Sequence, residues 1–252
     1  MSSQLSEPYK SLLSLGSVLL VLGLLFHLCF AQLDHSWNWA GVLPYWPKLL
    51  QGWWTTMGLS LAAMGLSLLV GLLAALARIQ SFLPLRHLSL IYTEIIRGTP
   101  LLVQILLFFY VVADAVGLQN RYVAGVLILS LFSGAYLAEI IRAGIGSVGE
   151  SQLESARAIG LSPVQIYQHV IFPQALRHSL PAMAGQFVSL IKDSSLLSII
   201  SISEITLNAQ EINSFSYSTL ESYLPLALGY LLLTLPLTWW SRQLEKRFAY
   251  ET

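Results

Sequence analysis

The chain has 252 residues, 55% of them hydrophobic and 10% charged, with zero net charge and a mean hydropathy of +0.66. Soluble domains carry about 25% charged residues, so this balance excludes an ordinary water-soluble protein and indicates one integral membrane domain of several helices. Zero net charge leaves no long-range field for nucleic acid or an acidic substrate. The single cysteine, Cys29, excludes an internal disulfide and a cysteine-ligated metal site, and its place in an apolar run makes it packing.

A membrane crossing needs about 20 apolar residues, and the charge-poor windows give six. The first spans residues 11–31. A signal peptide has an apolar core of only about 7–15 residues; this run is longer, and Leu28 to Gln32 is a poor cleavage site, so it reads as a retained anchor. The second spans residues 51–76, where Gly58, Gly65 and Gly71 are expected to let neighbouring helices approach. The third spans residues 88–112, with Glu94 and Arg97 in its first turns, and the fourth spans residues 122–141, with Glu139. The fifth spans residues 179–202, interrupted by Lys192 and Asp193, and the sixth spans residues 223–240, before the charged tail Arg242, Glu245, Lys246 and Arg247. The polar loop at residues 203–221 is expected to hold a short surface helix. No internal repeat stands out.

Orientation follows from the basic residues in the loops. Lys10, Arg78, Arg86, Arg142, Arg157, Arg177, Arg242, Lys246 and Arg247 fall on one side, and only Lys48 and Arg121 on the other. Both termini and the loop after the fourth span are therefore expected in the cytoplasm, and the loop at residues 203–221 in the periplasm. Trp37, Trp39, Trp46, Trp53 and Trp54 near the outer end of the second span, with Trp239 and Trp240 near the inner end of the sixth, read as an interfacial belt.

The stretch at residues 154–173 (ESARAIGLSPVQIYQHVIFP) is helical in pattern but too polar to cross. Leu153, Ala156, Ile159 and Gly160 recur at helical spacing, and Glu154 and Arg157 stand three apart, where they can pair. Ser162 is placed as N-cap with Pro163 at the first position of a second helix, which presents Val164, Tyr167, Val170 and Ile171 and is expected to end at Pro173. A membrane protein carrying such a helix–turn–helix in a cytoplasmic loop offers a surface to a soluble partner.

Glu154-Ser155-Ala156, Gly160 and Val170-Ile171-Phe172-Pro173 keep the spacing of a family signature, and here the chain resembles the permease subunits of ABC importers. Ser155, Val170 and Phe172 depart from that signature by small changes in size or shape. The segments 94–104 (EIIRGTPLLVQ), 134–142 (GAYLAEIIR), Pro173-Gln174-Ala175-Leu176 and 192–196 (KDSSL) are similar to the polar amino acid branch, histidine/glutamine/glutamate-type. Gly149-Glu150-Ser151 and Gly185 depart from its usual pattern. The resemblance implies an all-α polytopic fold: a five-helix permease core over residues 51–248, with residues 1–50 as an added transmembrane helix and periplasmic linker. It further implies a coupling helix that fits a groove on a separate ATPase, carried by Glu154, Ser155, Ala156, Arg157, Gly160, Leu161 and Pro173. The implied partners are two ATPase subunits, a second permease chain (identical or paralogous) and a periplasmic amino acid binding protein, assembled in a bacterial inner membrane. ATP and Mg would be bound by the ATPases, with no cofactor or metal in this chain.

Charged groups inside a membrane pair or line a wet path. Lys192 and Asp193 form a structural ion pair with helix neighbours, or Asp193, with Ser194 and Ser195, faces the path and meets an ammonium group. Glu139 and Arg142, and likewise Glu94 and Arg97, are three apart and are expected to form ion pairs fixing the inner mouth, with Glu139 also a candidate path residue. Thr99, a candidate path residue, is either an N-cap ahead of Pro100 or the site of a kink. Gln104, one turn deeper, lines the path or makes an interhelical hydrogen bond.

These readings favour the transmembrane subunit of an ATP-driven amino acid importer. The chain lacks the G-x-x-x-x-G-K-[ST] phosphate loop, so hydrolysis belongs to a partner. An ion-gradient-driven secondary transporter or channel using Glu139 and Asp193 is the alternative, and it leaves the polar hairpin unexplained. An intramembrane enzyme is disfavoured, because His27, His35, His87, His169 and His178 are scattered without metal or nucleophile–base spacing.

Overall fold

The computed structural model describes residues 7–31 and 35–249, and the side chains of residues 12–28, 31 and 35–246. The packing read for Cys29, the Gln32 end of the cleavage site, and the side chains of Lys10 and Arg247 lie outside this description. The chain divides into two compact units, Met1–Asn38 and Trp39–Thr252. The first is built on α1, Glu7–Ala31, apolar on all faces from Leu12 to Leu28.

The second unit opens with α2 (Trp39–Val42) and a 3₁₀ turn (Leu43–Tyr45) leading into α3 (Trp46–Ile79), where Pro47 occupies the first turn and loses no helical hydrogen bond. Next come α4 (Leu83–Gly98) and α5 (Leu101–Leu107), the latter running on through a π-helical turn, Phe108–Ala113. Asn120 then caps α6 (Arg121–Gly146), accepting from the N–H groups of Tyr122 at 3.0 Å and Val123 at 3.2 Å. A hairpin of α7 (Glu150–Ala158) and α8 (Pro163–Ile166) follows, continuing through a π turn, Tyr167–Ile171, into α9 (Phe172–Asp193). A 3₁₀ segment, Ser194–Ile200, leads to α10 (Ile205–Ser216) and the long α11 (Thr219–Ala249).

Three helical stretches in the described residues are long and apolar enough to cross a membrane: Trp39–Ile79, Arg121–Gly146 and Thr219–Lys246. A fourth arises if α4 and Leu101–Ala113, bent by 111°, count as one broken span. The six apolar windows thus differ in kind. The third contains a sharp bend that a hydropathy window averages away. The fifth lies on α9, which carries Arg177, His178, Lys192 and Asp193 and falls short in apolar character.

The core is the seam between α3 and α6. Gly52, Thr56, Ser60, Ala63, Ser67, Gly71 and Ala75 put small side chains along one buried face of α3, allowing near backbone contact. A Cβ on Gly71 would stand 2.7 Å from the Leu137 Cβ, and one on Gly134 2.7 Å from Val70 Cγ1. Gly58 and Gly65, expected to serve the same purpose, face open space; Gly52 takes that role against α10. Leu59, Ile105, Leu129, Leu190 and Leu197 fill the apolar centre, while Leu61, Leu69, Leu73, Leu232 and Leu235 point outward as a lipid-facing surface does.

The expected surface helix, α10, is instead packed in. Ile205, Asn208, Ala209 and Ile212 are buried, and the helix lies against α3 and α11. Trp53, read as belt, is half-buried and donates from Nε1 to the Gly229 carbonyl at 3.0 Å, tying α3 to α11.

Candidate functional site

Three groups of residues stand out, and the first is the α7–α8 hairpin. Gly160 has φ +82°, a conformation glycine reaches without a Cβ clash, and the reversal there ends α7. Ser162 starts α8 with a reciprocal capping box: its Oγ accepts from the Gln165 N–H, and Gln165 Oε1 accepts from the Ser162 N–H at 2.9 Å. Ala156 and Ile166 are buried, and the hairpin is tied to α9 by Gln174 Nε2 donating to Gln152 Oε1 at 2.7 Å. Its outer face is bare. Ile159 is 77% exposed and Val164 64%, and Glu154, Ser155, Arg157 and Gly160 are exposed beside them. Glu154 and Arg157 do not pair. Pro173 does not end the second helix: the π turn just ahead of it widens the coil, and the helix runs on through Pro173 into α9.

The second group lies around Glu139 on α6. Glu139 Oε2 accepts from Arg142 Nη2 at 2.8 Å and Nε at 3.1 Å, and Arg97 Nη1 of α4 stands 3.7 Å away. The expected Glu94–Arg97 pair is absent, since Arg97 reaches across to α6 and lies 5.5 Å from the centre of the Tyr136 ring. The α4–α5 break is close by. Thr99 and Pro100 are both extended, as a residue before proline prefers, so Thr99 does not cap α5, and the kink expected here is a full break with a 111° change of direction. Gln104 folds back over the break, its Nε2 meeting the Ile96 carbonyl at 2.7 Å, Thr99 Oγ1 at 2.8 Å and the Thr99 carbonyl at 3.1 Å. These are the carbonyls a helix end leaves unpaired, so Gln104 is a staple across the bend.

The third group surrounds Asp193. It closes α9 half-buried, Lys192 is exposed, and the two form no ion pair. Ser194 is buried and donates to the Ile191 carbonyl at 2.8 Å, while Ser195 is half-buried. Next to them lies a buried polar knot that sequence reasoning missed. Glu204 is fully enclosed and caps α10, accepting from the N–H groups of Leu207 at 2.7 Å and Thr206 at 2.8 Å and from Tyr230 Oη at 3.1 Å. Burial raises its carboxyl above the ordinary range, and those hydrogen bonds only partly offset the loss of water. Asn208 Nδ2 donates to the Lys48 carbonyl at 2.8 Å, and the Ile205 N–H to Thr56 Oγ1 at 3.2 Å. An acidic residue just before a helical pattern was the available signal for Glu204.

The second unit, with a polar hairpin between α6 and α9, has counterparts among known proteins. Residues 67–250 match the family of binding-protein-dependent transport system inner membrane components. The chain belongs to this family. The permease is 34% identical over 214 residues to the glutamine transport system permease protein GlnP of Escherichia coli, spanning 84% of this chain and 98% of that protein. It is 29% identical over 211 residues to the arginine transport system permease protein ArtQ of Bacillus subtilis, spanning 83% and 96%. A solved amino acid ABC transporter with histidines contains a chain that superposes on the permease with a TM-score of 0.78 at 35% identity, over 84% of this chain and all of that one. The MetNI methionine ABC transporter, in an inward-facing form, aligns with a TM-score of 0.69 at 17% identity over 81% of this chain and 98% of its own, and shares the fold. The permease is a non-catalytic, multi-pass inner-membrane subunit that works with ATPase and binding-protein partners.

Proposed function

We propose that the permease translocates a polar amino acid inward, powered by ATPase subunits that dock on residues 154–173. One observation carries the docking assignment: the α7–α8 hairpin is fixed from within by Gly160 and the Ser162–Gln165 box, yet its outer face holds exposed Ile159 and Val164. A rigid element with a bare apolar tip suits a groove on a partner. Glu154 and Arg157, unpaired with each other, are available to that partner, as are Ser155 and Gly160, whose small size lets its surface come close. Ala156, Leu161 and Pro173 hold the hairpin's shape. The relatives' glutamine and arginine transport support a polar amino acid as cargo.

In this reading ATP and Mg are held by two ATPases, a second permease chain of the same or a related sequence completes the path, and the basic loops and both termini face the cytoplasm. Residues 51–248 form the permease domain, and residues 1–50 add an anchor helix with its periplasmic linker. Asp193 and Ser195 are the path-facing groups, while Ser194 supports them from behind. Thr99 and Gln104 shape the path by fixing the bend, and Glu139 with Arg97 and Arg142 forms its inner mouth.

The test is reconstitution in liposomes with the ATPase and the binding protein. Amino acid uptake that requires ATP, together with ATP hydrolysis stimulated by the same amino acid, is the expected result. Uptake by the permease alone, driven by an ion gradient, would overturn the reading.

A further inference from the structure

We propose that Arg97, Arg142 and Arg78 form a receiving site for the α-carboxylate of the amino acid as it leaves the path. The proposal rests on the importer reading above and adds a chemical role to its inner mouth. Three helices converge here, with Arg78 at the end of α3, Arg97 at the end of α4, and Glu139 and Arg142 on α6. Glu139 is the carboxylate that Arg97 and Arg142 share. Its Oε2 atom is already bound twice by Arg142, at 2.8 and 3.1 Å, so Arg97 at 3.7 Å is left with attraction but no hydrogen bond. Arg78 is close enough for Glu139 to feel its charge, yet its Nη1 is enclosed with no acceptor. Glu94, the nearest other acid on α4, makes no ion pair with Arg97.

Arg78, its Nη1 enclosed, adds charge and not an open donor, so an incoming oxyanion meets a mouth that holds more guanidinium than carboxylate. Arg97 is also pre-oriented. The Tyr136 ring beneath it, 5.5 Å from the guanidinium carbon, restricts the plane of its fork, and a guanidinium fork matches a carboxylate in two parallel hydrogen bonds. Its side chain is 43% exposed, so the fork is open to a ligand. Free amino acids carry this carboxylate whatever their side chain, so the site serves a class of cargo.

The experiment uses the permease–ATPase complex in neutral detergent, titrated calorimetrically with L-glutamine, L-arginine and their α-amides. Whichever amino acid drives ATP hydrolysis should bind, and its α-amide should bind about tenfold more weakly or worse. Arg97→Gln should weaken the free acid by a similar factor and leave the amide unchanged, with Arg97→Lys intermediate because the planar fork is lost. Glu139→Gln should tighten the free acid by releasing two guanidinium groups, the opposite of what a merely structural salt bridge predicts. Equal affinity for acid and amide, or an Arg97→Gln variant that binds like the parent, would overturn the site. So would glutamine or arginine binding displaced by phosphatidylglycerol with no preference for acid over amide, which would assign the arginines to a lipid phosphate. If the parent complex imports the amino acid with ATP in any of those cases, only the carboxylate site fails; if it does not, the importer reading has failed as well.

Discussion

Arg97 passes over Glu94 on its own helix and sets Nη1 3.7 Å from Glu139 on α6. An i, i+3 pair is available locally, but Tyr136 and Glu139 lie one turn apart on α6 and together offer a ring face and a carboxylate. The contact joins the arm ahead of the α4–α5 break to the helix that leads into the α7–α8 hairpin. Its energy is small nonetheless, because both partners keep water contact and the distance exceeds a hydrogen bond. A double-mutant cycle of Arg97→Gln with Glu139→Gln, read by chemical denaturation in detergent, should give a coupling below about 0.5 kcal/mol. The Arg142 cycle with Glu139 should give a larger value, near 1 kcal/mol. Equal couplings would show that the Arg97 contact is tighter than its geometry.

The glycines of α3 separate into two classes that thermal unfolding can distinguish. Gly71→Ala drives a methyl to 2.7 Å from the Leu137 Cβ, and Gly52→Ala drives one to 2.8 Å from the Ile205 Cα. Overpacking of this kind costs about 1–3 kcal/mol. Gly52→Ala is expected to be the worse, since backbone yields less readily than a side chain. Gly65→Ala meets nothing within 4 Å and should be neutral or stabilising by up to about 1 kcal/mol, through helix propensity. A melting temperature lowered as much by Gly65→Ala as by Gly71→Ala would contradict the close α3–α6 seam.

That contrast also marks what the sequence discloses. Small residues every three or four positions from Gly52 to Ala75 announce a close-packed face, but Gly58 and Gly65 look equally suitable until the partner helix fixes the rotation of α3. The hairpin was legible because its signals are local: Gly160 for the reversal, Ser162 for the cap and Pro163 for the helix start, while the Gln165 half of the capping box came only with the structure. The bend at Thr99-Pro100 was half legible, since proline marks the position while the 111° change of direction depends on Gln104 reaching back to Ile96. The Glu204 knot was hidden for a different reason. Its partner Tyr230 lies 26 residues away, and the Thr56 that holds the neighbouring Ile205 lies 149 residues from it, so only the fold makes them neighbours.

Glu204 gives the permease a pH dependence of definite sign. Burial raises its folded pKa above the unfolded value of about 4.3, so the native state takes up a proton more readily than the unfolded chain. The associated stability is fully present below the unfolded pKa, falls as pH rises through the folded pKa, and levels off above it. Denaturation in detergent should therefore show stability declining with rising pH just above the ordinary carboxylate range. Glu204→Gln should flatten that decline while keeping one oxygen to cap α10. An unchanged slope in the variant would assign the pH dependence to another group.

Gly160 separates two demands, backbone conformation and room for a partner. At φ +82° a Cβ is strained, yet nothing in this chain lies within 4 Å of where it would stand. Gly160→Ala therefore pays a conformational cost of about 1 kcal/mol or more with no internal clash, and Gly160→Asn pays less because asparagine tolerates the left-handed region. Gly160→Trp shares the strain and adds a large side chain pointing into open space. All three should insert and remain folded in detergent, with Trp no less stable than Ala. The ATPase should copurify with the Asn and Ala variants and be lost with Trp, because the cost of Trp appears only when a partner surface closes on the hairpin. Copurification undiminished by Trp would leave the open space around Gly160 without a function and move the docking surface elsewhere.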